Sequence, residues 1–256
     1  RLLSWRSRAR RLAWLVLALL LALVAGCSLF NRQPPGDASA LLAEGEVRVK
    51  SGDFAGAIPL LEQAVQMDPA LVRARFLLGN AYTQTGRPDE AIAQFQEVIR
   101  LEPQNAPAHT NLGVALYQKG QLEAAIASFQ QALQLDPQDA ETHYLLGAAY
   151  VQQRKFDAGM AEFEAALARN SELAEAYVGQ GSVYLEQERP GDAVRVLERA
   201  VQLKPSLPEA WFALGNAYFR IGDGAKAKDA LERFLTLNPP PDRAAQAQEL
   251  LRQLQE

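Results

Sequence analysis

Apolar residues recur along most of this chain at the spacing of a helix face. Leu77, Leu78, Ala81 and Tyr82 are typical: they stand three and four residues apart and predict a buried stripe on an amphipathic helix. The stripe comes back on a fixed period. Gly45, Gly79, Gly113, Gly147, Gly181 and Gly215 are 34 residues apart, and Pro69, Pro103, Pro137, Pro205 and Pro239 keep the same register, with Ser171 in the one place where a proline is missing. Self-similarity of this kind predicts a stack of identical small units. The frame is 38–71, 72–105, 106–139, 140–173, 174–207 and 208–241, and each unit divides into two helices. Gly52, Gly86, Gly120 and Gly222 follow the first helix, where a left-handed cap needs a residue without Cβ. The periodic proline ends the second helix. The recurring Gly, and the Ala at 57, 91, 125, 193 and 227, are small because paired helices must approach closely there.

Within this frame the sequence resembles the tetratricopeptide repeat. The last unit carries Trp211, Leu214, Gly215 and Tyr218. The second carries Leu78, Gly79, Tyr82, Ala91, Phe95 and Pro103, and the third Leu112, Gly113, Ala125, Phe129, Ala132 and Pro137. The resemblance implies an all-α, right-handed superhelical solenoid of six repeats whose first helices line a concave groove. Some positions depart from it. Repeat one has Leu41 and Arg48 where the pattern wants Trp and Tyr, as expected of a terminal repeat. Repeat four has Gly159 for Ala, Arg154 for the turn Gly and Ser171 for Pro, which marks it as the expected weak link, although Tyr150, Phe163 and Ala166 keep its core. Residues 242–256 read as an amphipathic capping helix, with Ala245, Leu250, Leu251 and Leu254 toward the last repeat.

The N-terminus has a different character. Residues 1–26 hold Arg1, Arg6, Arg8, Arg10 and Arg11 and no acid, and Leu12 to Ala25 is an unbroken apolar run. As a helix, fourteen residues reach only about 21 Å, short of the roughly 30 Å of a bilayer core, so the run suits the h-region of a signal peptide. It leads into Val24-Ala25-Gly26-Cys27, which resembles the lipobox of bacterial lipoproteins. That resemblance implies removal of residues 1–26 and acylation of Cys27; in a cell with two membranes, Ser28 after the cysteine favours the periplasmic face of the outer membrane by resemblance to the enterobacterial sorting rule, and in a cell with one membrane the expected place is the outer face of the cytoplasmic membrane. The residues also allow an uncleaved signal anchor, since Leu29 and Phe30 could extend the run. The sequence opens on Arg rather than Met, so translation is expected to start upstream or at another codon. Residues 27–37, rich in Pro and Gly toward their end, read as a tether, with Asp37 capping the first repeat helix.

Charge narrows the choice of partner. The formal net charge is −4, but beyond residue 26 the chain carries 21 basic against 30 acidic residues, which argues against nucleic-acid binding through a broad basic surface. A single cysteine excludes a disulfide within the chain. No phosphate loop, metal-spaced cluster or nucleophile elbow is present, so neither enzymatic activity nor a cofactor is expected. His109 and His143 both hold the fourth position of their repeats. They read as stand-ins for the pattern's Trp in half-buried packing rather than as a metal site, because two ligands alone rarely hold a metal. Acidic pairs such as Glu162/Glu164 read as solvated helix faces.

The resemblance also implies where a partner lies, because positions 2, 5, 9, 12 and 13 of such repeats face the groove. Here they place Phe76, Tyr144 and Phe212 at the fifth position, with Asn80, Ser182 and Asn216 at the ninth. Tyr117, Leu185 and Phe219 stand at the twelfth, and Gln84, Gln118, Gln152 and Arg220 at the thirteenth. Rings beside side-chain amides suit an extended peptide or a helix. Partner contacts are expected at Phe76, Asn80, Tyr117, Tyr144, Phe212, Asn216 and Phe219. The carboxylate clamp known from chaperone-binding tetratricopeptide domains needs Lys where Phe76 and Phe212 stand, so it is not expected. The sequence thus describes a membrane-anchored protein-binding adaptor of the bacterial envelope, similar in layout to the type IV pilus pilotins. A signal-anchored accessory subunit of a cell-wall or cytochrome-assembly complex is the alternative.

Overall fold

The computed structural model describes residues 37–255. The apolar run, Cys27 and all of the tether except Asp37 therefore lie outside the described residues, as does Glu256. Among the described residues there are thirteen helices and no strand. The first helices of the repeats are α1 (Ala38–Lys50), α3 (Val72–Gln84), α5 (Ala106–Gln118), α7 (Ala140–Gln152), α9 (Ala174–Glu186) and α11 (Pro208–Ile221). The second helices are α2 (Phe54–Met67), α4 (Pro88–Leu101), α6 (Leu122–Leu135), α8 (Phe156–Arg169), α10 (Pro190–Leu203) and α12 (Gly224–Leu235). A last helix, α13, covers Pro241–Gln253. The described residues divide into two compact units, with the boundary between Ala74 and Arg75, inside α3.

Local chemistry explains where these helices start. Asp37, Asn105 and Asp139 accept hydrogen bonds from the backbone N–H groups of Ser39, Ala108 and Glu141, satisfying donors that the first turn leaves free. Asp53 and Asp223 do the same for α2 and α12, while α4 and α10 open on proline, whose fixed φ suits a first turn.

The turn inside each repeat is one motif used six times. Gly52, Gly86, Gly120 and Gly222 adopt φ of +71° to +81°, and the next N–H returns to a carbonyl five residues back, as Gln121 N does to Leu116 O at 2.9 Å. In repeats four and five the same left-handed position is held by Arg154 (φ 60°) and Glu188 (φ 57°). The closing bonds survive: Lys155 N to Tyr150 O at 2.9 Å and Arg189 N to Tyr184 O at 2.8 Å. A side chain in this conformation costs about 1–2 kcal/mol, and here it is tolerated. The end of the second helix behaves similarly. Asp68, Glu102 and Asp136 leave the helix for an extended backbone near φ −130°, as residues before proline must. Asn170 adopts φ −137° and ψ 93° although Ser171 follows it.

In unit 1, a Cβ added to Gly45 would lie 2.7 Å from the Leu61 side chain. In unit 2, Gly79, Gly113, Gly147, Gly181 and Gly215 stand equally close to Phe95, Phe129, Phe163, Leu197 and Leu231, at 2.5–2.7 Å. These large side chains are all 0–1% exposed, and burial of each contributes about 1.5–3 kcal/mol. Gly159 has a packing reason of its own. Its added Cβ would meet Val151 at 2.6 Å and the Gly147 carbonyl at 3.0 Å, so α7 and α8 pack where even alanine crowds them.

The C-terminal helix α13 begins at Pro241, one residue earlier than the sequence suggests. Ala247 is fully buried, and Leu250, Leu251 and Leu254 pack with it against Leu231, Phe234, Trp211 and Phe212. Ala245, expected in that contact, is exposed; the buried face runs through 247, 250, 251 and 254, at helical spacing. No described helix is long and apolar enough to cross a membrane.

Candidate functional site

The fourth position of the repeats shows how the histidines are used. Trp211 Nε1 donates to the carbonyl of Pro205 at 2.9 Å, six residues earlier, and the Tyr177 hydroxyl donates to Ser171 O at 3.2 Å. His109 Nε2 and His143 Nε2 lie on the equivalent carbonyls, Pro103 O at 3.1 Å and Pro137 O at 3.3 Å. All four side chains tie the loop between two repeats to the helix that follows it. The other ring nitrogen of His143 is engaged by Glu162 at 2.6 Å. Among the described residues no group of three His, Cys, Asp or Glu side chains could hold a metal.

The fifth-position aromatics are half-buried and rest on rings. Phe76 packs edge-on against Phe95 with centroids 5.9 Å apart, Tyr144 against Phe163 at 6.0 Å, and Phe212 against Phe234 at 5.1 Å. Each therefore has a structural partner on the second helix of its own repeat. The ninth-position amides also have internal partners: Asn80 Oδ1 accepts from Asn111 of the next repeat at 2.9 Å, and Asn216 Oδ1 accepts from Arg220 at 2.9 Å. Tyr117 and Phe219, at the twelfth position, lie against the apolar clusters around Leu116 and Leu185.

One concavity of about 620 Å³ opens along α7, α9 and α11 and is closed at one end by α13. Phe212, Asn216, Ser182, Val178, Leu185 and Gln152 line it. Among the residues expected to contact a partner, Phe212 and Asn216 meet there; Phe76, Asn80, Tyr117, Tyr144 and Phe219 are outside its lining. Tyr144 and Tyr117 share an electrostatic environment instead. Burial pushes the Tyr144 hydroxyl above its usual range, and the nearby Glu175 and then Tyr117 and Glu209 push it further. Burial alone would raise the Glu175 carboxyl as well, but the Lys204 ammonium, bonded to it at 2.6 Å, holds it below the usual range.

Sequence reasoning missed several of the lining residues. Arg154 enters from the α7–α8 turn, Phe156 from the start of α8, Phe234 from α12, and Arg243 from the first turn of α13, its guanidinium 5.2 Å from the Phe212 ring centre. The frame of the repeats flags Arg154 as irregular, but says nothing of the face from which α13 presents Arg243. Chemically the concavity offers an aromatic floor, an amide, a hydroxyl and several fixed charges. That suits burial of an apolar side chain and hydrogen bonding to a peptide backbone.

Family models described as tetratricopeptide repeat match residues 48–112 and 84–127, 144–208 and 180–255, and one described as TPR repeat matches 113–154, so that together the matches run from 48 to 255. Among solved structures, MamA is 27% identical, over 63% of this chain and 94% of its own, with a TM-score of 0.57. PilF of Pseudomonas aeruginosa is 18% identical over 83% of this chain and 96% of its own, with a TM-score of 0.69. YrrB, described as a TPR protein with an unusual peptide-binding site, is 21% identical over 73% of this chain and 96% of its own, with a TM-score of 0.55. At these last two identities the likeness concerns the fold. A comparison with curated proteins finds no match.

Proposed function

The chain belongs to the tetratricopeptide-repeat family, a protein-interaction module, and from that premise we propose that it is a membrane-anchored adaptor that holds a peptide or helix of another envelope protein against the inner faces of α7, α9 and α11. The observation that carries this reading is the concavity over Phe212, with Asn216 and Ser182 beside it. It combines a large apolar seat with polar groups able to bond a backbone. YrrB, a fold relative, supports it by example, since its description names a peptide-binding site. PilF, similar in fold along most of its length, supports the layout as a stack of helical repeats. The adaptor carries out no chemistry itself and uses no cofactor.

Capture of the partner from detergent-solubilised membranes tests the groove. Filling the concavity with Ser182→Trp, or truncating its aromatic seat with Phe212→Ala, abolishes capture while helical circular dichroism is retained; anchoring aromatics typically cost about 2 kcal/mol or more when removed from an interface. Unchanged capture by both folded variants rejects the groove.

The anchor is part of the same proposal. The apolar run ending in Val24-Ala25-Gly26-Cys27 supports cleavage before Cys27 and acylation of its sulfur, placing the repeats outside the cytoplasm and, with Ser28 next, at the outer membrane. Mass spectrometry of the mature N-terminus decides this: an intact Arg1 to Gly26 on the membrane-bound form excludes it.

A further inference from the structure

Three arginines reach the same concavity from different elements: Arg154 from the α7–α8 turn, Arg220 from the last turn of α11 and Arg243 from the first turn of α13. Neutral groups hold two of them. Arg220 donates through Nε to Asn216 Oδ1 at 2.9 Å and through a terminal nitrogen to the Leu185 carbonyl at 2.8 Å. Arg243 lies over the Phe212 ring. Neither is in ion-pair contact with a carboxylate among the described residues, whereas Arg48, Arg87, Arg189 and Arg252 all are. Arg154 stands over Phe156 at 5.2 Å and reaches Glu186 only at 3.7 Å.

Two further observations set this place apart. Glu186 and Glu209 also line the concavity, leaving three positive against two negative side chains in a chain that beyond residue 26 has 21 basic and 30 acidic residues. The cationic excess is local and runs against the background. Arg154 moreover stands at the left-handed turn position that glycine fills in repeats one, two, three and six and Glu188 fills in repeat five; of these two side chains only the Arg154 guanidinium edges the cavity.

We propose that this concavity is an acid-reading subsite. It seats an aromatic or aliphatic side chain of the partner on Phe212, and the side-chain carboxylates flanking that residue on Arg220, Arg243 and Arg154. The partner segment is therefore an acidic stretch interrupted by apolar residues. Guanidinium groups already immobilised by Asn216, Leu185 and Phe212 lose little freedom on meeting a carboxylate, and each such bond is charge-assisted. The inference rests on the groove reading above and adds to it the chemistry of the occupant.

The test uses the full chain in detergent and a dye-labelled, end-capped peptide in which Glu alternates with Phe and Leu, so that no terminal carboxylate contributes. Matched probes carry Gln or Lys in place of Glu. By fluorescence anisotropy at low salt, the Glu probe binds about tenfold or more tighter than the Gln probe. The Lys probe is weakest, and the gap narrows near 1 M salt as screening sets in. Arg220→Gln with Arg243→Gln closes the gap. Arg154→Gly weakens the Glu probe about threefold and melts no lower than the parent chain, a pair of opposite effects that a merely structural arginine does not give. Equal binding of the Glu and Gln probes overturns the subsite and leaves the groove standing. Failure of every probe to bind overturns both. Undiminished binding of the Glu probe to Arg154→Gly and to the double variant removes the arginines from the account.

Discussion

Repeats three and four share a backbone but not a signature. In repeat three the turn is Gly120 at φ 78°, the small contact residue is Ala125 at 0% exposure, and the second helix stops before Pro137. In repeat four these roles fall to Arg154 at φ 60°, Gly159 and Ser171. The closing turn bonds are the same length, 2.9 Å, and the helix-ending residues Asp136 and Asn170 adopt nearly the same conformation. The two departures at the turn and the helix end trade local preference for composition while packing dictates the same path. The third, Gly159, leaves room for the Val151 side chain and the Gly147 carbonyl, which an added Cβ would meet at 2.6 and 3.0 Å. What the sequence marks as a weak link is also the repeat that contributes Arg154, Phe156, Val151 and Gln152 to the concavity.

The comparison can be broken by overpacking. Ala125→Leu is expected to lower stability by about 1–3 kcal/mol, and Gly159→Val by a similar amount or more, because its first added atom already meets Val151 and a carbonyl. Gln121→Ala, on an exposed side chain, stays within about 0.5 kcal/mol. Denaturant melts compare the three, and equal midpoints contradict the repeat register. A smaller effect comes from exchanging the turn residues. Gly120→Ala costs about 1 kcal/mol, while Arg154→Gly is neutral or gains up to that amount, since only glycine holds positive φ without strain. Equal losses in both would mean that Arg154 is not strained. Ser171→Pro, into a backbone that Asn170 already shapes for proline, gains about 0.4–1 kcal/mol by restricting the unfolded chain; a loss in the same melts would show that the loop needs its N–H.

The periodic features of the fold were legible because each has one physical cause. Glycines at 34-residue spacing are required by facing Phe or Leu side chains, the turn glycines by positive φ, and His109 and His143 each meet the carbonyl equivalent to the one that Trp211 uses. The site was less legible. The resemblance assigns the fifth-position rings to the groove, yet Phe76, Tyr144 and Phe212 each lean on a second-helix ring. Phe234, which supports Phe212, stands at a different repeat position from Phe95 and Phe163, so the frame alone could not pair them. Arg243 and the phase of α13 depend on where a helix after three prolines settles. The repeat pattern does not encode that, although Ala247, Leu250, Leu251 and Leu254 carried the helical spacing that identifies its buried face.

The smallest expected effect concerns one link within repeat five. Lys204 and Glu175 pair at 2.6 Å, the carboxyl held below and the ammonium above their ordinary values. The depressed carboxyl contributes stability above its usual 4.5 and loses it as pH falls through the lower folded value; the raised ammonium contributes below 10.5 and loses it as pH climbs past the folded value. With half of the Lys204 side chain exposed, solvent screening leaves at most about 0.5 kcal/mol. Glu175→Gln therefore flattens the acid limb of the melting profile slightly; an unchanged limb shows that the pair is energetically silent.

The claim that a partner lies in the groove is tested most directly by position-specific cross-linking. A photoreactive residue replacing Gln152, exposed and lining the concavity, is compared in membranes with one replacing Gln131, exposed on the second helix α6. Cross-linking of the partner from position 152 and not from 131 is the predicted result. A partner joined from 131 while 152 stays unlinked contradicts the account.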